Sequence, residues 1–156
     1  MSSNPDRERL LDRLAHRVRL ASALTPDLIS EVIASACTRV PLLNQAGKAA
    51  QLDRLIQAEA WNDAVLALIE LELPTWKLRR LDYEDGGWIC SLSQQPNLPL
   101  ALDETADSTH DVLPLAILSA FLAASLRHAV SPKTVSQTVP RVPLAPEYAV
   151  CCDNFF

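Results

Sequence analysis

From Arg7 to Ser22 the chain sets Leu10, Leu11, Leu14, Val18 and Ala21 on one side of a 3.6-residue period. Arg9, Arg13 and Arg17 form an i, i+4 row on another side, so the segment predicts an amphipathic helix. Thr25-Pro26-Asp27 then reads as an N-cap, a proline at the first helical position and an acid in the first turn. The stripe Leu28, Ile29, Val32, Ile33, Ala36, Cys37 and Val40 carries this second helix up to Pro41. A third helix is expected from Asn44, bearing Leu52, Leu55 and Ile56, and a fourth from about Asn62 to Leu73, where Pro74 stops it.

Beyond Pro74 the period changes from 3.6 to 2, in the stretch Leu78 to Leu92 that surrounds Glu84-Asp85-Gly86-Gly87. With Asp85-Gly86 as a two-residue turn, Tyr83 faces Trp88, Leu81 faces Cys90 and Arg79 faces Leu92. Slipping the pairing by one residue would set Asp82 against Cys90 and Arg80 against Leu92, wasting the apolar face. A hairpin over 75–93 is therefore predicted, with Cys90 an inward cross-strand neighbour. Pro96-Asn97 turns the chain, and Leu98, Leu100 and Leu102 alternate as a third strand over 98–102. An acidic loop follows over 103–111, then an apolar helix near 112–127 with Asp111 as N-cap and Pro114 in its first turn.

The elements add up to an α+β fold: N-terminal helices, a small antiparallel sheet, then a buried helix. One domain over 1–128 is expected, which at this length can bury a core without a metal or disulfide. Residues 129–156 contain Pro132, Pro140, Pro143 and Pro146 and show no period that proline does not interrupt, so they read as a disordered tail.

Composition narrows the function classes. Only 3 glycines stand against 11 prolines, and neither a dinucleotide-binding glycine fingerprint nor a phosphate-binding P-loop occurs. A net charge of −5 argues against general binding of nucleic acid or anionic membranes. The N-terminus has no apolar signal region, and the longest apolar run, Val112 to Leu126, contains Pro114 and is too short to span a bilayer. The expectation is a soluble cytoplasmic protein whose Cys37, Cys90, Cys151 and Cys152 are reduced, at spacings that fit no zinc pattern.

Candidate chemistry is sparse. A thiol enzyme would pair Cys90 with His110 or His128, but a thiol on an inward strand face is a poor nucleophile. Asp103, Glu104, Asp107, His110 and Asp111 offer five potential metal ligands in nine residues; carboxylates ahead of a helix also serve its positive end without metal. Arg9, Arg13, Arg17 and Arg19 could touch phosphate, yet Asp6, Glu8 and Asp12 lie among them, as on a solvated face with internal ion pairs. Pro140-x-x-Pro143 and Pro143-x-x-Pro146 have polyproline spacing without a basic residue at the usual offset. Cys151-Cys152 belongs to no lipidation motif. No catalytic, cofactor-binding or metal-ligating residue is assigned, and no cofactor is implied.

The segment from Gln57 to Leu66 resembles the opening of a tetratricopeptide-type repeat, but it recurs nowhere else, which excludes a repeat array. The order of helices, antiparallel sheet and helix resembles small acidic secretion chaperones in shape, with no shared motif. The expected function is a non-catalytic, chaperone-like interaction or adaptor protein whose partner is another protein or a second copy in a homodimer. The alternative is a small hydrolase or metal-assisted enzyme built on loop 103–111. The surplus of apolar surface on the Val112 helix, including Ala116, Ala120, Ala123 and Ala124, and an exposed strand at 98–102 are the grounds for the dimer.

Overall fold

The computed structural model describes residues 4–45 and 49–130. Helix α1, Pro5–Leu20, starts two residues before the expected Arg7 because Asn4 caps it: the Asn4 side chain accepts from the Asp6 N–H at 3.1 Å. Helix α2, Pro26–Ala36, is capped by Thr25, whose Oγ1 accepts from Leu28 N–H at 3.2 Å. It ends earlier than the stripe suggests. Cys37 is extended, and a separate helix α3, Arg39–Gln45, takes Val40 and places Pro41 in its own first turn. Pro41 thus opens a helix rather than following one, since a first turn has no internal use for the N–H that proline lacks. Helix α4, Ala50–Gln57, and helix α5, Trp61–Glu72, complete the helical half. The third predicted helix therefore begins at Ala50 rather than Asn44, and the break falls at 58–60, so α5 starts at Trp61, one residue before the expected Asn62.

Three antiparallel strands follow in the order β1-β2-β3: Lys77–Glu84, Gly87–Ser93 and Thr105–His110. The turn has Asp85 at φ 53° and Gly86 at φ 81°, two successive left-handed residues as a two-residue hairpin turn demands. Leu81 pairs with Cys90 and Tyr83 with Trp88, as expected. Farther from the turn the register shifts at a bulge, so Leu78 rather than Arg79 faces Leu92 and Arg80 faces Ser91.

The third strand is not at 98–102. That segment holds a single 3-10 turn, Leu100–Leu102, with Leu100 67% and Leu102 70% exposed. Strand β3 occupies most of the predicted acidic loop instead. Its residues alternate, with Ala106 and His110 buried and Asp107 and Thr109 exposed. Polar Asp, Ser and Thr hide this period from a hydrophobicity reading, because pairing with β2 satisfies a strand backbone whatever the side chains.

Helix α6, Leu113–Val130, runs back beneath the sheet, two residues past the boundary drawn at 128. It packs on β3 and β2, and also against α1 and α5. Leu115, Ile117, Leu118, Phe121 and Leu122 are buried, and so are Ala116, Ala120 and Ala124. Those three alanines are thus roofed within one chain, whereas Ala123 remains half-buried. Asp111 does not lead the helix as its cap: the first intrahelical bond runs from Ala116 N–H to Val112 O, and the Val112 N–H is taken by His110 Nδ1 at 2.9 Å. Residues 131–156, with the Pro-rich repeats and Cys151-Cys152, lie outside the described residues. Among those described, no helix is long and apolar enough to cross a membrane.

Candidate functional site

The residues singled out by sequence are dispersed by the fold. Cys90 is buried at the centre of β2, between Leu81 on β1 and Ser108 on β3. Burial, then the charge of Asp107, pushes its thiol up to about 12, so almost no thiolate forms at neutral pH. His110 pairs with Trp88 two positions along the strand, and its Nδ1 is committed to the Val112 N–H. His128 lies elsewhere, in a small pocket with Arg7 and Glu72. Neither imidazole is hydrogen-bonded to Cys90. Cys37 is buried beside Glu72; burial first, then that carboxylate, raises its pKa, against the lowering effect of Arg7.

The five acidic-loop residues do not converge. Asp103 turns back to Arg79, with Arg79 Nη1 at 2.5 Å, and accepts from Ser93 Oγ at 2.6 and 2.8 Å. Asp107 and His110 project from opposite faces of β3. Among the described residues no group of three His, Cys, Asp or Glu side chains is placed to hold a metal ion. The arginine row lies exposed on α1, where Arg17 pairs with Glu31 of α2.

Two polar sites went unread in the sequence. Glu72, at the end of α5, is buried, and its carboxylate accepts from the N–H groups of Thr38, Arg39 and Val40 at 2.7, 2.8 and 3.1 Å and from Thr38 Oγ1 at 3.2 Å. It caps α3 from more than thirty residues away in sequence, which no local signal announces. The adjacent cavity, about 90 Å3, is lined by Arg7, Thr38, Arg39, Glu72, Ser125 and His128. Arg7 there donates to the Ala36 carbonyl at 2.9 Å, so the cluster joins α1, the end of α2, α3 and α5.

The second site is a groove between α1, α6 and the outer edge of β3, which no strand among the described residues pairs. One part, about 320 Å3, is walled by Leu11, Asp12 and Ala15 of α1, Asp107 and Ser108 of β3, and Ser119, Leu122 and Ala123 of α6. It shares Arg19 and Thr109 with a neighbouring part of about 510 Å3 that reaches His110 and Asp111. Two buried polar atoms on its walls find no hydrogen-bond partner among the described residues: Ser119 Oγ and His110 Nε2. Because His110 Nδ1 accepts the hydrogen bond from the Val112 N–H, Nε2 carries the ring N–H, a buried donor with no acceptor among the described residues, in a residue only 9% exposed.

The two sheet edges differ. Strand β1 is bulged at Arg79 and bears Lys77, Arg80, Asp82 and Glu84, all exposed, with Arg80 bridging Asp82 and Glu84. Bulges and charges of this kind keep an edge from pairing with another chain. Strand β3 pairs with β2 in unbroken register over all six residues, has no proline, and carries one full charge, Asp107. No protein-family model, curated protein or solved structure matches the chain.

Proposed function

We propose that the protein is a non-catalytic interaction domain that docks an extended segment on the free edge of β3. The observation that carries the reading is the contrast between the edges: β1 is bulged and charged against pairing, whereas β3 is regular and opens onto a groove. An unpaired edge of this kind offers alternate backbone N–H and C=O groups to an added strand, and side-chain pockets beside it select the sequence. The dispersal of Cys90, His110, His128 and the acids of 103–111 further favours binding over hydrolysis. The same reading keeps the protein soluble in the cytoplasm, with its cysteines as thiols.

The test is panning of a random displayed peptide library on the full chain, with Ala15→Trp and Ala123→Trp as variants that fill the groove. Both alanines are half-buried on its walls, and circular dichroism establishes that each variant is folded. Enriched peptides are expected to bind the native chain and to lose at least tenfold in affinity on a folded variant. Failure to enrich any peptide, or enriched peptides that bind the filled variants equally well, overturns the proposal.

A further inference from the structure

We infer that the occupant of this groove is an extended, cationic segment of a partner protein, about six residues long, with apolar side chains alternating with Lys or Arg. The inference rests on reading the β3 edge as a docking site, and it names what docks. Length comes from the walls. Strand β3 has six residues, which at about 3.3 Å each is roughly 20 Å. Along α1 the lining runs from Leu11 to Leu20, nine steps of about 1.5 Å, or roughly 14 Å, and Ala21 and Ser22 beyond the helix extend it further. One short strand fits that space.

Charge comes from the same lining: the carboxylates of Asp12, Asp107 and Asp111 against the single guanidinium of Arg19. An added strand would direct alternate side chains toward Leu11, Ala15, Leu122 and Leu126 and the others outward past the carboxylates, a pattern met by alternating apolar and basic residues. His110 Nε2–H supplies a donor at one end, suited to a backbone carbonyl of the segment.

A second copy of the chain is the other candidate occupant. To pair its β3 antiparallel in a continuous sheet, it would bring its own α6 beneath that strand, as α6 lies beneath β3 here. That place is filled by α1, which packs along α6 and walls the groove. Among the described residues a lone segment meets no such obstruction.

Two labelled hexapeptides, one alternating Lys with Val and one alternating Glu with Val, are titrated against the full chain by fluorescence anisotropy. The Lys peptide is expected to bind at least tenfold tighter, to lose binding when alternate backbone amides are N-methylated, and to weaken with added salt. Neutralising Asp12→Asn with Asp107→Asn is expected to weaken it roughly three- to tenfold, the range for two partly exposed ion pairs. Equal binding of the two peptides overturns the charge assignment while leaving the docking site standing. Binding of panned peptides but of neither hexapeptide does the same. A dimer in sedimentation that Ala123→Trp dissociates identifies a second copy as the occupant and overturns the inference.

Discussion

Glu72 shows how much one side chain can hold. Three of its four accepted hydrogen bonds satisfy the backbone donors at the start of α3, the fourth comes from the Thr38 hydroxyl, and Pro41 lacks the next N–H. In Glu72→Gln one amide nitrogen faces those donors and the charge is lost, so a destabilisation of about 2–4 kcal/mol is expected, measured by urea unfolding. The thiols give a pH dependence. Burial raises both Cys37 and Cys90 above the value of about 8.5 for an unfolded chain, so the native state holds the protons more tightly. Their contribution is complete below about pH 8.5 and is lost as pH rises through the folded values, about 12 for Cys90. Thermal midpoints are therefore expected to be flat near pH 7–8 and to fall above about pH 9, with a shallower fall in Cys90→Ala. An identical alkaline slope in that variant contradicts the assignment. Cys90 was legible in the sequence because hairpin register is a local rule; Glu72 was not, because its partners are remote.

Among the elements, the hairpin and the segment after it act together. The bulge in β1 turns Arg79 out of the ladder, where Arg79 Nη2 donates to Leu98 O at 2.6 Å while Nη1 pairs with Asp103. Ser93 Oγ donates to the same carboxylate, and the Asp103 side chain is only 2% exposed. This buried network fastens residues 94–103 to the sheet, which explains why Leu98, Leu100 and Leu102 do not form a strand: Arg79 claims the Leu98 carbonyl and Asp103 anchors the far end. Asp103→Ala leaves Arg79 without its partner and is expected to cost about 3–5 kcal/mol, whereas Asp103→Ala with Arg79→Leu recovers part of that loss. Urea unfolding of the two variants measures the difference. Gly86→Ala is expected to cost about 1 kcal/mol through its left-handed backbone alone, since a Cβ there meets no other atom within 4 Å.

At the scale of the whole molecule, α6 is the common wall between sheet and helices, packed on β2 and β3 and on α1 and α5. Phe121, fully buried on it, is expected to cost about 3–5 kcal/mol on replacement by alanine. Loss of this packing should release both halves together. Far-ultraviolet circular dichroism, dominated by the helices, and the fluorescence of Trp76 and Trp88, isolated by Trp61→Phe, are expected to report one coincident transition with and without Phe121→Ala. Separate transitions would show that the helical half and the sheet fold independently.

The α+β class, the two N-terminal helices with the Thr25 cap of the second, the hairpin register near its turn and the apolar α6 were legible in the sequence, because caps, turn residues and periodicity act over a few residues. The sequence also made Cys37 and Cys90 core residues, since each fell on an apolar stripe or strand face. Tertiary structure decided the rest. Six residues rich in Asp, Ser and Thr became a strand because β2 presented an unpaired edge and Ser108 Oγ could donate to Ala116 O of α6. The α2 stripe broke at Cys37 as Glu72 captured the amides of α3. The groove exists only where α1, α6 and β3 meet, and no stretch of sequence contains the distances among the three.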